Sequence, residues 1–94
     1  MNEYEMVYIL NPVLGEESVT ALNERVKSLI EANGELADVD EWGRKRLAYE
    51  IQDQREGIYY LANFSANADA PREIERVMRI TEGVLRYLII RKGD

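Results

Sequence analysis

Gly43-Arg44-Lys45-Arg46-Leu47-Ala48-Tyr49-Glu50-Ile51 sets three adjacent cations before a short alternating run, in a chain whose net charge is −6. Neighbouring positive side chains repel one another unless water, carboxylates or an anionic partner offset the repulsion. Leu47, Tyr49 and Ile51 alternate with Ala48 and Glu50, which is the period-two pattern of a half-buried strand. The cations therefore sit at a strand, beside a glycine free to bend or bulge it. Such a place suits a phosphate backbone.

Upstream, the same strand runs through Leu36, Val39 and Trp42, with Gly43 as its expected bulge. A helix precedes it: Val19, Leu22, Val26, Leu29 and Ile30 gather into one stripe. Glu16 and Glu17 occupy its first turn, where the helix dipole favours anions, and Gly34 lies just beyond its end as the expected C-cap. Met6 to Leu10 forms a first strand that is apolar on both faces, and Asn11-Pro12 stops it. Downstream, Gln52 to Glu56 reads as a polar loop. Past Gly57, a third strand sets Ile58, Tyr60, Ala62 and Phe64 against Tyr59, Leu61, Asn63 and Ser65. Asp69 and Pro71 open a second helix as cap and early-turn proline. Its buried stripe is Ala70, Ile74, Val77 and Met78, Gly83 ends it, and a last strand covers Val84 to Arg91.

The order strand-helix-strand-strand-helix-strand, closed by right-handed crossovers, predicts a ferredoxin-like split βαβ sandwich. In this α+β fold four antiparallel strands carry both helices on one face. Residues 1–94 make one such domain, long enough for one core and too short for two. The predicted core between helices and sheet holds Met6, Tyr8, Val26, Ile30, Tyr60, Phe64, Val77, Met78, Tyr87 and Ile89. Alternation then sends Tyr59, Leu61, Leu88 and Ile90 to the uncovered face, with Val7 and Ile9. Such an apolar open face calls for a covering partner. Tyr4 and Tyr49 fit the core or its edge.

Composition removes several kinds of chemistry. The chain has no His and no Cys, so it offers no imidazole base, no thiolate nucleophile and no His/Cys metal site. It has no G-x-x-x-x-G-K-[ST] or G-x-G-x-x-G phosphate loop. Asp38, Asp40 and Glu41 lack calcium-loop spacing and read as a solvated strand edge. Catalysis, cofactors and small-molecule substrates are not expected. The absence of cysteine points to a reducing cytoplasm, and the apolar run from Met6 to Leu10 is too short for a membrane span. Glu3 and Glu5 stand where a secretion signal would be basic.

Charge is uneven. Residues 1–41 hold ten acids and two bases, whereas residues 42–94 hold eight acids and ten bases. A local basic surface is therefore compatible with overall acidity. Arg72 and Arg76 read as a helix face paired with Glu73 and Glu75. Arg86, Arg91 and Lys92 fit a charge-blunted edge strand as well as a binding role. For Arg44 and Arg46 the competing reading is an offset of Asp38, Asp40 and Glu41 across a strand pair.

With these residues in place, the chain resembles the bacterial small-subunit ribosomal protein six family along its whole length. The resemblance rests on Gly43-Arg44-Lys45-Arg46-Leu47-Ala48-Tyr49-Glu50-Ile51, on Tyr4-Glu5, on Asn11-Pro12, and on Arg79-Ile80 through Val84 and Arg86. It implies a structural component of the small ribosomal subunit. It also implies binding to the central domain of the small-subunit ribosomal RNA together with small-subunit ribosomal protein eighteen. On that reading Arg44, Lys45, Arg46, Arg79 and Arg86 are the expected RNA contacts. Tyr59, Leu61, Leu88 and Ile90 form the expected protein-facing surface. Tyr59 also lies where an RRM-like sheet stacks a base, but the chain lacks the accompanying glycine-aromatic pattern. Glu50 replaces a proline common in the family, which is expected to loosen that turn. The long acidic tail of some members has no counterpart here. A ligand-sensing or dimerisation domain of the same fold remains the alternative. An acylphosphatase-like enzyme would need an arginine in the segment Asn11 to Gly15, which has none.

Overall fold

The computed structural model describes residues 1–93; Asp94, the last residue of the expected domain, lies outside them. Its elements follow the predicted order: β1 (Asn2–Leu10), a 3-10 turn (Pro12–Leu14), α1 (Glu16–Asn33), β2 (Gly34–Ile51), β3 (Gln54–Ala66), α2 (Ala70–Ile80) and β4 (Val84–Arg91). The four strands pair antiparallel in the order β2-β3-β1-β4. This is the split βαβ sandwich.

Alternation on β1 and β3 decides what is inside. Tyr4, Met6, Tyr8 and Leu10 stand directly opposite Phe64, Ala62, Tyr60 and Ile58, and their shared face meets the helices. Val19, Leu22, Val26 and Ile30 recur at helical spacing on α1, as do Ala70, Ile74 and Met78 on α2, and all are buried in one cluster. Aromatic pairs stiffen the layer: Tyr4 stacks on Phe64 with centroids 5.5 Å apart, and Tyr8 on Tyr60 at 5.1 Å. Such pairs contribute about 0.5–1.5 kcal/mol beyond their buried area. The Tyr8 hydroxyl donates to the side-chain oxygen of Asn23 on α1, so its polar end is satisfied within the core. Burial pushes the Tyr8 hydroxyl pKa far above its ordinary value, with Tyr60 and Glu24 adding to the effect.

Several local expectations are corrected. Val77 is only half-buried, because the four-residue steps from Ala70 to Met78 carry the inward stripe past it. It lines the seam between the helices, with Leu22, Arg25 and Leu29. Tyr87 and Ile89 are also half-buried, packed against the main cluster from the edge strand. Gly34 does not cap α1 in a left-handed conformation; its φ of 180° is extended and it opens β2. Its lack of a side chain answers a packing demand, since a Cβ there would lie 2.8 Å from Ala66 Cβ. Asp69 occupies the N-cap position of α2 without making a side-chain cap bond, although Pro71 stands in the first turn as expected.

The polar loop expected over Gln52 to Glu56 is instead a two-residue turn, because β3 already begins at Gln54. Gln52 and Asp53 both take positive φ, 51° and 63°. Two such residues give the turn whose twist matches a right-handed hairpin. The chain thus has a long β2–β3 hairpin. Truncating Phe64 to alanine tests the inward face: a cost on the order of 3–5 kcal/mol is expected, read as a lower midpoint in chemical denaturation. A wild-type midpoint would show that this face is not the core.

Candidate nucleic-acid interface

β2 follows β3 residue for residue only between irregularities. The register shifts between Leu36 and Asp38, between Glu41 and Gly43, and between Arg46 and Ile51. The second shift squeezes out Trp42 at the bulge, and Gly43 beside it takes a φ of 88°, a conformation that glycine adopts without steric cost. Trp42 therefore leaves the regular strand face and is 45% exposed.

The third shift is the largest. Arg46 pairs with Glu56 and Ile51 with Gln54, so Leu47 to Glu50 oppose Arg55 alone and arch out of the ladder. The strict alternation expected for this run is lost accordingly: Leu47 is buried, whereas Tyr49 is 60% exposed. The arch bends over the open face of the sheet. Leu47 packs with Ile9 and Leu85 in a second small cluster, joined at its margin by Ile51 and Tyr59. Ile9, expected to be uncovered, is therefore 6% exposed. Gly57 makes the close approach possible, because a Cβ on it would run into Ile9 Cγ2 and lie 3.4 Å from Leu47 Cδ2.

The arch reaches the far edge of the sheet. Arg86 Nη1 on β4 donates to the Tyr49 hydroxyl at 2.6 Å, and the guanidinium lies 5.8 Å from the Tyr49 ring centroid. A residue of the β2 arm thus clasps the opposite edge strand. The Glu50 carboxylate accepts from Arg55 Nε at 3.0 Å across the hairpin.

The expected RNA contacts fall into four places. Arg44 and Arg46 lie opposite Ile58 and Glu56 on the helix-side face of the arm. With Arg55 they line an open groove against Pro12 and Val13. Arg44 Nη1 sits 3.5 Å from Glu56 Oε1, both half exposed, and such a pair contributes little in water. Lys45 points to the other face, its ammonium 5.1 Å from the Trp42 ring and 5.9 Å from the Tyr59 ring. Arg86 stands on the open face at β4. Arg79 lies on the last turn of α2, in the helical layer, apart from the others. The competing pairing of Arg44 and Arg46 with Asp38, Asp40 and Glu41 is not formed: Arg44 meets Glu56, and Asp38 accepts from the Asn63 amide at 2.8 Å.

The expected protein-facing residues separate as well. Val7 lies between Leu61 on β3 and Leu88 on β4, and Leu88 and Ile90 are 55% and 43% exposed. These make a continuous uncovered apolar strip. Tyr59 belongs instead beside the arch, under Lys45. Arg76 is tied to Glu73 by two hydrogen bonds of 2.9 and 2.7 Å, which hold the Glu73 carboxyl below its usual range. Sequence reasoning missed Trp42 as a surface residue and Arg55 as a groove residue. A tryptophan directly before a bulge glycine was the available signal for the first. Arg55 carried none, because its role depends on the length of the hairpin.

The four-stranded split βαβ sheet presents a cationic arm and a bare apolar strip, surfaces of the kind that binding proteins offer. Comparison with known proteins makes this specific. Residues 3–91 match the family described as ribosomal protein S6. The chain is 55% identical to small ribosomal subunit protein bS6 of Caldanaerobacter subterraneus subsp. tengcongensis over the full length of both chains. It is 50% identical to that of Clostridium novyi, covering 96% of each. The crystal structure of 30S ribosomal protein S6 from Thermotoga maritima superposes with a TM-score of 0.91 at 32% identity, over 97% of this chain and 87% of that one. The chain belongs to the ribosomal protein S6 family. Its role is that of a structural component of the small subunit of the cytoplasmic bacterial ribosome, not that of an enzyme. No helix among the described residues is long and apolar enough to cross a membrane.

The clasp can be tested directly. Replacing Tyr49 with alanine is expected to raise amide hydrogen exchange over residues 47–50 while lowering global stability by about 1 kcal/mol or less, the value of an exposed cation–π contact. Unchanged exchange would show that Leu47 alone holds the arch.

Proposed function

We propose that this small-subunit protein binds the central domain of the small-subunit ribosomal RNA together with small-subunit ribosomal protein eighteen, and that the two partners use different parts of one surface. The observation that carries the reading is the separation of apolar from cationic surface. The open face is apolar and uncovered at Leu88 and Ile90 on β4, while the β2 arm concentrates exposed cations on both of its sides. Apolar area depleted of charge suits the centre of a protein interface, and clustered arginines suit phosphate.

Leu61, Leu88 and Ile90 form the protein-facing strip, with Tyr59 at its inner margin. Arg44, Lys45 and Arg46 meet the RNA on the arm, and Arg86 meets it where the arm touches β4. Arg79, on the helical layer, meets a separate stretch of backbone. Arginine supplies the bidentate grip on phosphate that lysine cannot reproduce.

The two halves can be tested separately on the full chain. Leu88→Glu is expected to leave the fold intact by circular dichroism and to weaken association with protein eighteen in calorimetry by tenfold or more, roughly the effect of burying one charge without a counterion. Equal affinity would remove the strip from the interface. Changing Arg44 and Arg46 together to glutamine is expected to weaken RNA binding and flatten its salt dependence. The log–log slope should fall by roughly 0.7 to 0.9 for each lost phosphate contact. A variant with the wild-type slope that melts earlier would assign these arginines to hairpin stability.

A further inference from the structure

Trp42 is left without a role by the phosphate contacts and by the protein strip, and it clusters with Lys45 and Tyr59. An indole at a bulge on an edge strand, 45% exposed, gives up hydrophobic stabilisation that a buried position would provide. Its neighbour on the same face is a cation, with Lys45 Nζ within cation–π reach of both rings. Trp42 is also well separated from the exposed β4 end of the apolar strip. The sheet order β2-β3-β1-β4 puts three strand spacings between it and Leu88 or Ile90, roughly 14 Å at the usual interstrand distance.

We infer that Trp42 is a stacking platform for a single unpaired nucleobase of the bound RNA, with the Lys45 ammonium neutralising the phosphate of the same nucleotide. The inference rests on the RNA-binding reading above and adds the kind of RNA it takes. Three features favour a base over a protein side chain. The platform carries a cation at its centre, where protein interfaces are depleted of charge. It lies on the outer edge of the sheet, so a nucleotide can straddle β2 with its base on Trp42 and neighbouring phosphates toward Arg44 and Arg46 on the other side of the arm. Aromatic faces beside cations are also the means by which proteins hold single strands, whereas duplex bases are already stacked on one another. Asp40 lies opposite Leu61 on the same face and Asp38 is held by Asn63. Their charge directs the backbone toward the Lys45 end of β2.

Trp42 is the chain's sole tryptophan, so its emission reports this platform alone. The experiment titrates the full-length protein at low salt with a short oligoadenylate and, separately, with a blunt RNA duplex lacking unpaired bases. Oligoadenylate is expected to quench Trp42, and the duplex to bind without quenching. Trp42→Ala, followed by fluorescence anisotropy of labelled oligoadenylate, should weaken binding on the order of tenfold, and Trp42→Phe should recover most of it. Equal affinity in Trp42→Ala, with its salt dependence intact, would overturn the platform and leave the phosphate contacts standing. Failure of both RNAs to bind at any salt concentration would overturn the phosphate reading and the platform with it. Quenching by unlabelled protein eighteen but by neither RNA would assign Trp42 to the protein interface and overturn the base.

Discussion

From Met6 to Leu10, β1 is apolar on both faces, and the rest of the molecule answers that constraint. Tyr4, Met6, Tyr8 and Leu10 are covered by the helices. Val7 and Ile9 face a side of the sheet that the split βαβ topology leaves bare. Ile9 is covered from within the chain by Leu47 and Leu85, which requires part of β2 to leave its ladder and fold across the sheet. Val7 stays beside the half-buried Leu61 and the exposed Leu88. One strand's composition thus accounts for both the arched arm and the strip that still lacks a cover.

Strand alternation also governs the cations. Three consecutive basic residues on a regular strand cannot share a face, and here Arg44 and Arg46 point one way while Lys45 points the other. The repulsion that makes the run costly is eased by this divergence, by Glu56 beside Arg44, and by the aromatic rings under Lys45. The arm is positive on both of its sides, and its hydrogen bonds set the angle at which it is held.

The fold was legible because periodicity and punctuation agreed at each level. Helical spacing marked α1 and α2, alternation marked β1 and β3, and Asn11-Pro12 and Gly83 fell at turns. The site was legible only in composition. That the cations lay beside a bulge could be read from Gly43. That the following Leu-Ala-Tyr run would arch out of register could not, because the arch follows from a tertiary demand: Ile9 needs a cover and Gly57 leaves room for one. Tyr49 illustrates the difference. Its place in an alternating run suggested half-burial, yet its hydroxyl sits on Arg86 at the far edge of the sheet. The turn at Gln52-Asp53 escaped for a related reason. Asp53 is of a type that enters positive φ more readily than most, but Gln52 beside it carried no local sign.

The proposed division of the surface also explains how a chain of net charge −6 can serve a polyanion. Ten of its acids lie in the first 41 residues, a stretch comprising β1, α1 and the opening of β2. On the proposed reading the acids repel RNA from that part of the molecule while exposed cations attract it at the arm, so net charge resists indiscriminate binding as local charge favours one docking orientation. An arm carrying the same cations on a flexible tether would bind phosphate in many poses. Leu47 seated on Ile9, together with the Tyr49–Arg86 clasp, fixes the cations relative to the apolar strip on β4. Two partners meeting this protein are therefore presented with surfaces at a set spacing and angle. Contacts to phosphate carry no sequence information of their own, so on this reading that rigidity is what lets them contribute to a specific assembly.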